Sequence, residues 1–211
     1  MFLRVAAAVS GRGSNLAALL HALGDGAPAQ VVLVLSNRAG AGGVELARSH
    51  GIPVHLLNDT ADPGEWRAAL EAARVDLIVL AGYLKPVPAA VVRAWHGRII
   101  NVHPALLPRH GGRGMYGRRV HEAVLAAGDT TTGATVHLVS EEYDQGEILA
   151  QGTVPVLPGD TADTLAARVL AVEHKLLPAT VLAMARAGLP QRTEVQGMDV
   201  PPSSQSPAPS S

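Results

Sequence analysis

The chain has 211 residues, of which 47% are hydrophobic but only 3% aromatic, so any core must consist mainly of Ala, Val and Leu. The formal net charge of −1 does not indicate nucleic acid or an anionic membrane as a partner. The sequence has no cysteine, which excludes disulfides, thiolate catalysis and Cys-ligated metals. No apolar stretch approaches the ~20 residues that span a bilayer. The short apolar N-terminus lacks a basic leader, so a cytoplasmic protein is expected.

Short apolar runs alternate with Ala-rich helical windows along the first half of the chain. Strands that are apolar throughout are typical of a parallel sheet covered on both faces. Their alternation with helices predicts a doubly wound α/β fold, with ligands at the carboxyl ends of the strands. The predicted strands are 3–9, 31–36, 53–57, 75–81 and 99–102, and the predicted helices are 15–23, 42–50, 63–74 and 88–95.

The pattern changes after Gly128. Residues 130–139 and 148–156 predict two longer strands that extend the sheet with an antiparallel edge. A long final helix is predicted over 161–188, with Thr161 as its N-cap and Pro178 as a kink or a restart. We expect one domain over residues 1–197 and a disordered Pro/Ser-rich tail over residues 198–211.

A glycine-rich turn, Ser-Gly-Arg-Gly-Ser-Asn at 10–15, separates the first strand from the first helix. Such a turn exposes backbone N–H groups that can hold a phosphate. It is not a dinucleotide fingerprint, because Leu16 stands where the third glycine belongs, and it lacks the Lys of a Walker loop. A phosphomonoester is therefore favoured. The alternative is an empty turn in which Ser14 or Asn15 caps the helix.

The fifth predicted strand ends in a carboxamide and an imidazole, Asn101 and His103. Residues two apart in a strand point to the same side, so both would face one cavity. Asn can donate to developing negative charge and His can carry a proton near neutral pH, which suits acyl-group chemistry. The alternative is a buried pair that satisfies backbone groups at a sheet edge.

An acidic turn at 140–146 joins the last two predicted strands. Asp144 would favour charged His103 and raise its pKa if this turn folds over the end of the fifth strand. Glu141 and Glu142 are expected to be solvated, and His137 is expected to be a structural histidine. The spacing of the histidines does not fit a zinc site, so no metal is expected.

Together these segments resemble the phosphoribosylglycinamide formyltransferase family, from about residue 5 to residue 189. The resemblance implies a Rossmann-like formyltransferase fold and transfer of a formyl group from 10-formyltetrahydrofolate, the co-substrate, to the amine of glycinamide ribonucleotide in purine biosynthesis. It rests on Ser-Gly-Arg-Gly-Ser-Asn at 10–15, Leu-Ala-Gly-Tyr at 80–83, Asn-Val-His-Pro-Ala-Leu-Leu-Pro at 101–108, Gly-Ala-Thr-Val-His at 133–137, Asp144 and Glu173-His174.

The resemblance also implies roles for individual residues. The catalytic residues would be Asn101, His103 and Asp144: Asn101 and protonated His103 would stabilise the oxyanion, and His103 with Asp144 would handle proton transfer. Asn101 would also contact the folate. The ribonucleotide would be held by Gly13, Ser14 and Asn15 at its phosphate and by Glu173 at its ribose. The wall around the folate pterin would be formed by Leu84, Lys85, Pro86 and Val87. The partners would be these small molecules alone, bound by a monomer or a homodimer.

Two positions depart from the family pattern, and one loop has no single role in it. Residues 62–64 read Asp-Pro-Gly where relatives carry a basic residue that reaches the glutamate tail of the folate. Leu170 stands where a polar residue often assists Glu173. The glycine-rich loop at 109–117 is expected to be mobile and able to fold over substrate.

Three other functions use parts of the same equipment. A formyltetrahydrofolate hydrolase would carry an additional N-terminal domain, and a methionyl-tRNA formyltransferase would carry a basic C-terminal domain; this sequence shows neither. A non-catalytic nucleotide-binding regulator would use only the glycine-rich turn. It would leave the combination of Asn101, His103 and Asp144 unexplained.

Overall fold

The computed structural model describes residues 2–189, which form seven strands and six helices. The strands are β1 (Leu3–Val9), β2 (Ala29–Ser36), β3 (Val54–Leu56), β4 (Leu77–Leu80), β5 (Ile99–His103), β6 (Thr131–Leu138) and β7 (Ile148–Pro155). The helices are α1 (Ser14–Ala22), α2 (Gly42–Ser49), α3 (Pro63–Ala72), α4 (Ala89–Ala94), α5 (Arg118–Ala126) and α6 (Ala162–Ala187).

All seven strands form one sheet in the order β3-β2-β1-β4-β5-β6-β7. The first five strands along the chain pair in parallel, whereas β6 is antiparallel to both β5 and β7. The predicted mostly parallel sheet with an antiparallel edge is therefore confirmed. The strand order reverses between β1 and β4, and in sheets of this kind ligands bind at such a switch point.

Side chains of β1 alternate between two hydrophobic cores, one on each face of the sheet. Val5, Ala7 and Val9 contribute to the core on one face, while Ala6 and Ala8 contribute to the other. Because a strand points successive side chains to opposite faces, both faces must be covered by helices. The first core packs against Leu16, Leu19, Leu165 and Leu177 of α1 and α6, and the second contains Trp66, Leu70, Val91 and Val92 of α3 and α4.

The bounds of the predicted elements hold to within two residues. Helix α5 is absent from the prediction, and of the two alternatives for Pro178 the restart is wrong, because α6 runs through it as one helix. Thr161 is the N-cap of α6, as expected, and accepts the backbone N–H of Thr164 at 3.2 Å. The predicted tail at 198–211 lies outside the described residues. No helix within residues 2–189 has the length and apolarity needed to cross a membrane.

The β6–β7 pairing contains a bulge. Val136 pairs with Ala150 and His137 pairs with Ile148, so Leu149 is skipped in the pairing. A bulge increases the local twist and changes the direction of nearby side chains. The irregularity falls at the residue of β6 that faces Asn101 across the β5–β6 pairing.

Candidate active site

Strand β5 ends with Asn101 and His103, and antiparallel β6 places His137 directly opposite Asn101. The Nδ2 atom of Asn101 lies 3.2 Å from Nε2 of His137. His137 donates through Nδ1 to the carbonyl of Leu138 at 2.8 Å, which leaves Nε2 to face Asn101. From the sequence His137 is expected to be a structural histidine, and the structure brings it into contact with the predicted catalytic pair.

The turn between β6 and β7 folds back so that Asp144 reaches both histidines. Its Oδ2 atom lies 3.6 Å from Nδ1 of His103, and its Oδ1 atom lies 3.4 Å from Nε2 of His137. Asp144 has a φ of +55°, and this left-handed conformation bends the chain toward the sheet. The structure thus brings Asp144 next to His103, as the sequence-based prediction requires.

The hydrogen bonds of His103 define which ring nitrogen faces the carboxylate. Its Nε2 atom lies 2.8 Å from the carbonyl oxygen of His110, which can only accept, so Nε2 carries the hydrogen. Nδ1 then faces Asp144 across 3.6 Å, which is longer than a direct hydrogen bond. Nδ1 is the nitrogen left to gain or lose a proton at the cavity.

Burial and charge act in opposite directions on the two central groups. Burial lowers the pKa of His103, and the charge of Asp144 opposes this effect without overcoming it. The expected contribution of Asp144 is therefore present, but the pKa of His103 is lowered overall because the residue is only 3% exposed. For Asp144, burial raises the pKa, but the adjacent imidazoles of His137 and His103 and the hydrogen bond from the N–H of Gly112 outweigh it and lower the pKa. A neutral imidazole beside an ionised carboxylate results.

The loop at 109–117 supplies backbone groups to the same site. The carbonyl of His110 accepts from His103, and the N–H of Gly112 donates to Oδ2 of Asp144 at 2.9 Å. The sequence gives this loop no single role, because backbone contacts leave no residue-type signal. A Cβ at Gly111 would lie 2.5 Å from Cδ2 of Leu107 and 3.3 Å from Cβ of Asp144, so the loop packs closely on the site.

The glycine-rich turn after β1 is packed against the start of α2. Gly13 has a φ of +82°, and a Cβ there would lie 2.5 Å from Cα of Gly43. The N–H of Gly43 donates to the carbonyl of Gly11 at 3.1 Å. Helix α1 begins with Gly13 as N-cap and without a side-chain cap, so the alternative of capping by Ser14 or Asn15 is wrong. Its first N–H groups can receive an anion.

Asn15 and Glu173 join α1 to α6 beside this turn. Nδ2 of Asn15 donates to Oε2 of Glu173 at 2.7 Å, and both side chains are buried. Burial raises the pKa of Glu173, and the Asn15 hydrogen bond only partly opposes the effect. Within the described residues, Oδ1 of Asn15 has no hydrogen-bond partner, so a buried polar atom remains to be satisfied.

One cavity of about 830 Å³ is lined by Asn101, His103 and Asp144. A second cavity of about 590 Å³ is lined by residues of the glycine-rich turn and of α2. Arg12 and Leu170 line both cavities. Of the predicted site residues, Gly13 and Ser14 line the smaller cavity. The larger one is lined by Asn15, Leu84, Lys85, Pro86, Val87, Asn101, His103, Asp144 and Glu173. The predicted phosphate, catalytic and pterin regions therefore adjoin one another.

Two acidic residues that were considered from the sequence, Asp62 and Glu141, make structural contacts. Asp62 accepts the N–H of Gly64 at 2.8 Å and caps α3, so the segment that lacks the family's basic residue has a structural role. Glu141 pairs with Arg93 at 2.9 Å rather than being simply solvated, and this ion pair attaches the 140–146 turn to α4. Within residues 2–189, no group of three or more His, Asp or Glu side chains could hold a metal ion.

Residues 3–181 match the model of a family described as formyl transferase. The chain is 46% identical over 181 residues to a chloroplastic phosphoribosylglycinamide formyltransferase of Arabidopsis thaliana, an alignment that covers 82% of this chain and 62% of that protein. It is 36% identical over 185 residues to the phosphoribosylglycinamide formyltransferase of Haemophilus influenzae, covering 84% of this chain and 85% of the relative.

A crystal structure of phosphoribosylglycinamide formyltransferase from Anaplasma phagocytophilum superposes with a TM-score of 0.82 at 39% identity, covering 89% of each chain. The chain spans about three fifths of the length of the curated plant relatives it matches. The family match over most of the chain agrees with the fold. The chain belongs to the formyl transferase family.

Proposed function

We propose that this protein transfers the formyl group of 10-formyltetrahydrofolate to the amine of glycinamide ribonucleotide. One observation carries the proposal: Asn101, His103 and Asp144 line a single cavity that extends from the glycine-rich turn to an apolar loop. A phosphorylated amine and a large apolar donor could therefore meet at these three side chains. The similarity to named phosphoribosylglycinamide formyltransferases supports the same reaction.

The ribonucleotide would lie at the glycine-rich turn, with its ribose in the larger cavity and its phosphate at the start of α1, where Arg12 lines both cavities. Its phosphate would accept from the N–H groups of Gly13, Ser14 and Asn15, where the helix dipole favours an anion. Its ribose hydroxyls would reach Glu173 and the free Oδ1 atom of Asn15. Leu170 offers no hydrogen bond, so Glu173 would do more of the ribose binding than in relatives with a polar residue there.

The folate would occupy the part of the larger cavity where residues 84–87 provide a mainly apolar wall. Leu84 is 52% exposed, as expected of an apolar side chain that awaits a ligand. The N–H of Leu84 donates to Oγ of Ser10 at 2.9 Å, and Oγ of Ser10 lies 2.7 Å from Oδ1 of Asn37. These contacts tie the pterin wall to Ser10, the first residue of the glycine-rich turn, so the two substrate regions are connected.

Formyl transfer requires one C–N bond to form and another to break. The amine attacks the formyl carbon, the carbonyl oxygen becomes an oxyanion, and the bond to the folate nitrogen then breaks. Asn101 Nδ2 would donate to the oxyanion, where the loss of one such donor costs ~100-fold or more in rate. Neutral His103 would accept, at its Nδ1 atom, the proton that the amine loses. It would then deliver that proton to the departing folate nitrogen.

Asp144 would stabilise the imidazolium that exists between these two proton transfers. Its Oδ2 atom is 3.6 Å from Nδ1 of His103, close enough for the carboxylate to attract the imidazolium. The low pKa of His103 in the free protein suits a group that must first act as a base. The mechanism needs neither a covalent intermediate nor a metal.

The proposal is tested by measuring 10-formyltetrahydrofolate consumption with and without glycinamide ribonucleotide. A formyltransferase consumes 10-formyltetrahydrofolate only when the amine is present. A hydrolase releases formate without the amine, and a non-catalytic regulator does not consume the formyl donor. His103→Ala serves as the variant that should abolish turnover. The proposal also includes a cytoplasmic location and a monomer or homodimer, which cell fractionation and analytical ultracentrifugation test.

A further inference from the structure

The segment that follows β5 holds the proton-carrying histidine through its main chain. Nε2–H of His103 donates to the carbonyl of His110, so the position of that carbonyl determines the tautomer of His103. Two residues later, the N–H of Gly112 donates to Asp144. Any side chain that fixes residues 109–112 therefore acts on both catalytic groups at once.

Asp129 is the side chain that fixes this segment. Its Oδ2 atom lies 2.6 Å from Nε2 of His110, and its Oδ1 atom lies 2.5 Å from Nη2 of Arg109. Asp129 stands in the short connection between α5 and β6, two residues before the strand that pairs with β5. Its side chain is only 11% exposed. The carboxylate thus connects the loop to a rigid part of the sheet.

The backbone of His110 requires such support. Its φ is +55°, a left-handed conformation that side chains other than glycine rarely adopt and that persists only where surrounding contacts hold it. The hydrogen bond with His110 and the charge of Arg109 lower the pKa of Asp129, outweighing the opposing effect of burial. An ionised Asp129 can only accept, so His110 donates through Nε2, and one carboxylate holds two consecutive residues.

We propose that Asp129 is a positioning residue for formyl transfer. Asp129 binds the side chain of His110 and so fixes the position of the His110 carbonyl, and that carbonyl keeps His103 as the Nε2–H tautomer. Nδ1 then stays directed at Asp144 and the cavity. The kinetic part of this inference rests on the proposed function, whereas the tautomer of His103 can be observed without any reaction. Around His103 the titratable groups are Asp144, His137, His110 and His121.

The test compares Asp129→Ala and Asp129→Asn with the unaltered protein. Long-range proton–nitrogen NMR spectra report the tautomer of each of the nine histidines, and His103→Gln identifies the signal of His103. We expect one fixed Nε2–H tautomer in the unaltered protein and exchange between two tautomers in Asp129→Ala. Turnover should fall about tenfold, the lower end of the loss that follows when a partner that orients a metal-bound histidine is removed, while ribonucleotide affinity is retained. Asp129→Asn keeps an oxygen acceptor and should lose less.

Asp160→Asn is the matched control, because Asp160 is another loop carboxylate held by an arginine, Arg168 at 2.6 Å, and does not touch the 109–112 segment. It should change thermal stability without changing the His103 signal. An unchanged His103 tautomer in both Asp129 variants overturns the proposal, even if turnover falls. If Asp129→Ala does not fold, the Asn variant decides. If the unaltered protein has no transferase activity, the proposed function is wrong. The NMR comparison of the His103 tautomer still shows whether Asp129 positions this residue.

Discussion

Replacing Asp144 by Asn removes one negative charge and little else. Asn has nearly the same shape, and it tolerates the left-handed conformation that the structure shows at this position, where φ is +55°. The amide can keep an oxygen toward the N–H of Gly112. The change therefore isolates the electrostatic interaction between Asp144 and the imidazolium that His103 becomes during turnover.

The expected loss follows from the 3.6 Å between Oδ2 of Asp144 and Nδ1 of His103. Two unit charges at this distance attract by ~1 kcal/mol in a water-like medium and by about 5 kcal/mol at the effective dielectric constant of a partly buried pair. Since ~1.4 kcal/mol corresponds to a factor of ten in rate, kcat should fall between about fivefold and about four-thousandfold. Glycinamide ribonucleotide should still bind, because Gly13 and Ser14 of its proposed phosphate site line the smaller cavity, which Asp144 does not line.

The assay is the initial rate of formyl transfer at saturating concentrations of both substrates, with calorimetric titration of the ribonucleotide as the measure of binding. Glu71→Gln on α3 is the control, because it also removes one negative charge. Glu71 is half exposed, and within the described residues its one ion pair is with Arg67 at 3.7 Å. Unchanged kcat in the Asp144→Asn variant would refute the electrostatic role. A parallel loss of ribonucleotide affinity would also contradict it.

Three further changes test other parts of the site. Gly13→Ala should destabilise the protein by about 1–3 kcal/mol in thermal unfolding, because the new Cβ meets Gly43 at 2.5 Å and φ is positive; Gly11→Ala, where the Cβ meets nothing within 4 Å, should not. The raised pKa of Glu173 means that the folded protein retains a proton that the unfolded chain releases above pH 4.5, so native stability falls as the pH rises. Glu173→Gln should therefore gain in Tm relative to the unaltered protein from pH 4 to pH 7, and equal differences at all pH values would contradict this sign. Arg93→Met should leave Tm nearly unchanged, because exposed ion pairs contribute little, yet raise the KM for folate severalfold by releasing the turn that carries Asp144; an unchanged KM would count against that role.

The sheet could be predicted from the sequence because its central strands are apolar on both faces. In β1, for example, five consecutive residues from Val5 to Val9 are fully buried, and no alternation with polar residues obscures the strand. Helix α5 gave no such signal. It buries only Val120, His121 and Val124, and it follows a glycine-rich loop that masks its start.

The residue types of the site were predictable, but their electrostatics were not. Asn101 and His103 share a strand, so period-two alternation was enough to place them together. The approach of His137 depends on the β5–β6 register, and the contacts of His110 and Gly112 use backbone atoms, which any residue supplies. The pKa of His103 depends on how completely the ring is buried, a property of the whole fold that no local pattern reports.

The skipped residue in β7 has a consequence for how the site tolerates changes in chain length. Because side chains alternate faces with a period of two, a slip of β6 by one residue would turn His137 away from Asn101. The bulge at Leu149 absorbs one residue of mismatch on the outer strand, so β6 keeps its register against β5. Length variation in this hairpin is therefore better accommodated on the β7 side than between His137 and Asp144. The number of residues between His137 and Asp144 therefore determines whether the carboxylate reaches the two histidines.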